Sequence, residues 1–108
     1  MTLAEMISEP PKQNRIYKYP ISILAPGTFS VPITGGRLEK ILDFQEQAGH
    51  LVVWAIVDSA QLGYQGSIDV KVCWTGDPEP DPNQYFYWNT IQASDGLVYH
   101  VYVHDDYL

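Results

Sequence analysis

From Arg15 onward, apolar and polar positions alternate with a period of two, the spacing of strands that bury one face. In Arg15–Ile23 (RIYKYPISI), Tyr17, Tyr19, Ile21 and Ile23 share one face, and Lys18 and Ser22 share the other. Pro20 has no ladder donor, which puts this strand at an edge or beside a bulge. A turn at Ala-Pro-Gly leads to a short second strand, TFSVPI, and Thr-Gly-Gly marks the next turn. Arg37–Gln47 (RLEKILDFQEQ) fits two periods: Leu38, Leu42 and Gln45 suit a helix, and Leu38, Leu42 and Phe44 suit a strand face. It reads as a strand, because QAGH follows as a tight turn into an unmistakable one.

That strand, Leu51–Asp58 (LVVWAIVD), is apolar on both faces. It must be covered on both sides, which makes it central to the core or to a subunit interface. After the loop SAQLGYQG, Ile68, Val70, Val72 and Trp74 point one way and Asp69 and Lys71 the other. YFYWNTIQ and LVYHVYVH flank an Ala-Ser-Asp-Gly turn, a strong hairpin signal. The tail Asp105–Leu108 is polar and marginal. About seven short antiparallel strands with short connections predict an all-β sandwich or small barrel. Residues 1–14 form a separate arm, since TLAEMISE allows a turn or two of helix before Pro10 and Pro11 stop it. Residues 15–108 form the single β domain.

Size and composition fit this picture. A chain of 108 residues closes one core, and 45% hydrophobic against 18% charged residues describes a globular protein. The formal charge of −7 repels phosphate backbones, so direct nucleic-acid binding is not expected. Mimicry of DNA by carboxylates is weak, because they are scattered along the chain; a negative surface that keeps the protein soluble is the simpler reading. One cysteine, Cys73, permits no internal disulfide and fits a reducing cytoplasm. Neither a signal peptide nor a window of about 20 apolar residues is present, so no membrane association is expected.

The most unusual stretch is Thr75–Gln84, TGDPEPDPNQ. Prolines and carboxylates end the preceding strand, block edge pairing and keep a loop wet. Around it, Trp74, Tyr85, Tyr87 and Trp88 could form an aromatic floor for a planar base or a protein hot spot. Asp77, Glu79 and Asp81 fall short of the 6–8 oxygens calcium needs, and the EF-hand pattern is missing. His100 and His104 share a strand face with Tyr102 but lack a third ligand nearby, and His50 sits beside a turn glycine, exposed. Cys73 lies near Lys71 without a base or an oxyanion hole, and reads as a packing residue. Gly35 and Gly36 sit in no phosphate-binding fingerprint. No catalytic residue, metal site or cofactor is predicted, and an enzyme, such as a hydrolase using His100 and His104, is the least favoured class.

Four stretches, IYKYPI (Ile16–Ile21), LVVWAIVD (Leu51–Asp58), TGDP (Thr75–Pro78) and LVYHVYV (Leu97–Val103), together resemble a family of small uncharacterised proteins of tailed bacteriophages. The resemblance spans Arg15 to Val103. Members of that family carry a longer polar segment after the Thr-Gly, often with a histidine; here Asp77 follows, and a histidine-based role does not carry over. The resemblance implies an accessory protein of the host bacterial cytoplasm that acts by binding, in counter-defence. Two mechanisms follow. Asp77, Glu79 and Asp81 could cap the basic channel of a host defence protein such as a CRISPR-type effector. Alternatively, the aromatic rings could sequester a nucleotide second messenger, with Arg15, Lys18 or Arg37 neutralising its phosphates. The alternative class is a minor structural or assembly protein of the virion. As a homo-oligomer it would bury the two-faced Leu51–Asp58 strand.

Overall fold

The computed structural model describes residues 11–22 and 26–107. Among these residues, seven strands make two antiparallel sheets packed face to face. Strands β1 (Asn14–Ile21), β4 (His50–Asp58) and β3 (Arg37–Gln47) form one, in the order β1-β4-β3. The other has the order β2-β5-β7-β6, from β2 (Gly27–Ile33), β5 (Gly66–Trp74), β7 (Val98–His104) and β6 (Tyr85–Gln92). The expected all-β class holds. The predicted helical turns in the arm and the position of Ile23 fall outside the described residues.

Alternation explains the core. Tyr19 and Ile21, Val31 and Ile33, Val53, Ala55 and Val57, Ile68, Val70 and Val72, and Val101 and Val103 are buried between the sheets. Strand β3 departs from the expected face. Its register against β4 shifts between Leu38 and Lys40 and again between Ile41 and Asp43. Each bulge adds a residue and moves the inward face by one position. The buried residues are therefore Ile41 and Phe44, while Leu42 is 36% exposed. A period-two count cannot see these insertions.

The β3–β4 turn has Ala48 at φ 52° and Gly49 at φ 83°, the left-handed pair a two-residue hairpin requires. Gly36 sits so close to the Asp58 carbonyl that a Cβ would overlap it. The tail is not marginal: a 3-10 turn at Asp105–Tyr107 brings the Tyr107 ring to 6.0 Å from Trp88 and 6.4 Å from Phe86.

Strand β4 does have two apolar faces. Val53, Ala55 and Val57 face the core; Val52, Trp54, Ile56 and Asp58 face outward. Two lysines cross the outward face from β1 and its lead-in to β3. Lys18, opposite Trp54, donates to Gln47 Oε1 (2.6 Å), on a line that passes over Val52. Lys12 pairs with Glu39 (2.9 Å) across the Asp58 end. Their methylene stems shield apolar surface and keep the ammonium groups wet. Between them Ile16, 63% exposed, and half-buried Trp54 and Ile56 remain open.

Candidate functional site

Prolines 78, 80 and 82 keep the segment after β5 out of the ladder, and its aspartates shape it. Trp74 N–H donates to Asp77 Oδ2 (2.7 Å), and Asp77 N–H returns to the Trp74 carbonyl (3.0 Å). Gly76 takes φ 101° inside this turn. Further on, the Asp81 carbonyl accepts from the N–H groups of Gln84 and Tyr85, and Asp81 Oδ1 accepts from Asn83 N–H (2.9 Å). Pro80 is buried. The loop thus folds back over the outward face of the four-stranded sheet. A shallow cleft of about 230 Å³ opens there, with Asp77, Glu79 and Pro80 on one wall and Cys73, His100 and Tyr102 beneath.

The register of the sheet fixes this floor. Lys71 pairs with Tyr102, which pairs with Tyr87; Cys73 pairs with His100, which pairs with Thr90; His104 pairs with Tyr85. The Tyr87 and Tyr102 rings lie 5.6 Å apart, those of Tyr85 and His104 5.1 Å, and Lys71 Nζ is 5.9 Å from the Tyr85 ring centre. A polar chain runs across the floor. His100 Nε2 is 2.9 Å from Thr75 Oγ1 and its Nδ1 is 3.0 Å from Thr90 Oγ1, which lies 2.7 Å from the Tyr87 hydroxyl. Both imidazole nitrogens are occupied, so His100 ties the loop to the sheet.

The Cys73 thiol is buried, and burial pushes its pKa up against the smaller opposing pull of Lys71. Burial also raises the Tyr102 phenol. A protonated thiol beside a fully bonded imidazole is a poor nucleophile. Among the described residues, no three His, Cys, Asp or Glu side chains come close enough to hold a metal ion. Asp77 and Asp81 spend one oxygen each on separate backbone turns, so they do not converge as calcium ligands.

The aromatic set proposed from sequence divides. Tyr85 and Tyr87 lie on this floor. Trp74 falls on the inward side of β5, at the open end of the sandwich beside Leu97 and Val98. Trp88 is the extra residue of a bulge between Tyr87 and Asn89 and turns inward, 6.1 Å from Phe44 and 5.8 Å from Phe86. The cations are also elsewhere. Arg15, Lys18 and Arg37 belong to the three-stranded sheet, where Arg15 donates to Ser59 Oγ (3.2 Å) and Arg37 pairs with Glu39 (3.5 Å). The sequence reading missed Lys71, Thr75, Thr90 and Tyr102 as floor residues. Alternation does place His100, Tyr102 and His104 on one face, but only the strand order β5-β7-β6 makes that face the centre of the floor.

Charge is segregated as a result. Five of the six basic residues (Lys12, Arg15, Lys18, Arg37 and Lys40) lie on the three-stranded sheet or its lead-in. Asp69, Asp77, Glu79, Asp81, Asp95, Asp105 and Asp106 belong to the other sheet and its connections.

Against known proteins, a family model described as a domain of unknown function (DUF7352) matches residues 12–107. No curated protein and no solved structure matches the chain.

Proposed function

The chain belongs to the DUF7352 family, and from the geometry of this member we propose a non-enzymatic binding protein whose acidic loop face takes a basic protein surface. The observation that carries this reading is the separation of charge. Asp77 and Asp81 are held in ordered turns of the loop, Asp77 and Glu79 border the cleft over Tyr102, and the only lysine on that floor is Lys71. Fixed carboxylates with aromatic neighbours suit arginine and lysine side chains, by charge and by cation–π contact. In the bacteriophage setting that the sequence suggests, the partner is a host defence protein, such as a CRISPR-type effector, whose nucleic-acid channel the loop would cap.

Sequestration of a nucleotide messenger has less support, since Arg15, Lys18 and Arg37 lie on the other sheet from Tyr85 and Tyr87. The structural-protein alternative draws on the open outward patch of β4.

The test is inhibition of a purified effector by the protein and by its Asp77→Asn/Glu79→Gln/Asp81→Asn variant. The amides keep the acceptors that shape the loop. The half-inhibitory concentration should rise about tenfold or more, and rise with salt for the native protein. Equal potency of the two proteins rejects channel capping. A gain of several degrees in Tm with one nucleotide from a panel would move the reading to sequestration. Recovery of the protein from purified virions would move it to a structural role.

A further inference from the structure

We infer that the outward face of the three-stranded sheet is an interface between two copies of this chain, packed about a two-fold axis that runs along β4. Association through the edges of β1, β2 and β3 is hindered. Pro20 and Pro32 interrupt β1 and β2, whose outer edges lie side by side. On β3, the Ile41 N–H is taken by Tyr107 and the Phe44 carbonyl by Asn89 Nδ2 (2.8 Å). A face remains, and this one is apolar at its centre. Ile16 is 63% exposed, Leu42 36%, and Trp54 and Ile56 are half-buried between them.

Charge selects the occupant and the axis. From Pro10 to Leu38 the sequence contains no Asp or Glu, so the outward side of the β1 flank carries Lys12, which pairs with Glu39, and Lys18, with no acid of its own. The outward side of the β3 flank carries Glu39 and Asp43. Register sets Lys18, Trp54 and Asp43 in one row across the sheet. Rotation about an axis along β4 lays β1 of each copy over β3 of the other. Trp54 then meets Trp54, and Lys18 faces Asp43 of the second copy twice. An axis across the strands would instead stack β1 on β1 and set its cations against one another.

Strands aligned in this way match the usual packing of one sheet on another. Three strands about 4.8 Å apart and seven residues at about 3.3 Å each present roughly 330 Å² per copy. Two such faces stay below the ~1,200 Å² of a standard stable interface, which makes this a concentration-dependent dimer of a folded monomer.

Sedimentation velocity of the full chain from about 1 to 500 μM covers the affinity range of such an interface. The mass should rise from 12.2 kDa towards twice that value. Ile16→Lys and Lys18→Glu change exposed side chains, so each should keep the native Tm and weaken association about tenfold or more. An equimolar mixture of Lys18→Glu and Asp43→Lys should dimerise better than either alone, because both charge pairs are restored in the mixed dimer. Should Asp43→Lys fail to fold, Lys18→Glu decides the matter by itself. A monomer at every concentration, or a dimer indifferent to both Ile16→Lys and Lys18→Glu, overturns the inference.

Discussion

The main-chain N–H of Ile41 donates to the phenol oxygen of Tyr107, 2.6 Å away and 66 positions on in the sequence. Ile41 lies between the two bulges of β3, where the ladder to β4 is irregular, so the tail satisfies an edge amide there. Tyr107→Phe keeps the ring among Phe86 and Trp88 and deletes this bond. A loss of about 1 kcal/mol is expected, read as a fall in Tm of roughly 4–8 °C for a domain of this size. An unchanged Tm would show that the tail is held by ring packing alone.

Ala48 is the one described non-glycine residue at positive φ. A Cβ in the left-handed region costs about 1–2 kcal/mol, partly offset by the lower chain entropy of alanine when unfolded. Ala48→Gly should therefore stabilise the protein by about 0.5–1 kcal/mol in urea unfolding. Ala48→Val should do the reverse.

Asp58 is 1% exposed, and its Oδ1 accepts from Gln13 N–H (3.0 Å) and Ala60 N–H (3.1 Å). These bonds, the Gln13 one foremost, hold its carboxyl below the usual carboxylate range. A pKa lowered by folding means that the ionised form favours the native state. Its contribution is complete above the unfolded value of about 3.9 and is lost as the pH falls through the lower native value. Asp58→Asn keeps an acceptor at this position but cannot protonate. Its stability should fall less steeply below about pH 4 than that of the native protein, measured by urea midpoints across the acid range.

Cys73 should be slow to react. Its thiol is buried and its pKa raised, so modification by an aromatic disulfide reagent at pH 8 should run about tenfold or more slower than in urea. A rate in native buffer equal to that in urea would mean that the loop carrying Pro80 leaves the sheet readily.

The seven strands were legible because each carries either clean alternation or an apolar run between turn residues. Leu51–Asp58 also announced its two apolar faces, though not the lysine crossings that shield one of them. On β3 and β6 the reading failed because a bulge intervened. Two of them make Ile41 and Phe44, rather than Leu42 and Phe44, the inward face of β3. Another sends Trp88 into the core and leaves Tyr87 outside. The tail looked dispensable because a lone tyrosine among aspartates has no periodicity to reveal its socket.

The sequence by itself determined the strand count, the turn positions and most of the inward residues, since these depend on near neighbours and on the two-residue repeat. Strand order was decided only in three dimensions. It joins Lys71, Tyr87 and Tyr102 across three strands and sends Arg15, Lys18 and Arg37 to the opposite sheet. The physical reason is that pairing partners are chosen by packing of the whole core, and one inserted residue reverses which side of a sheet every later side chain occupies.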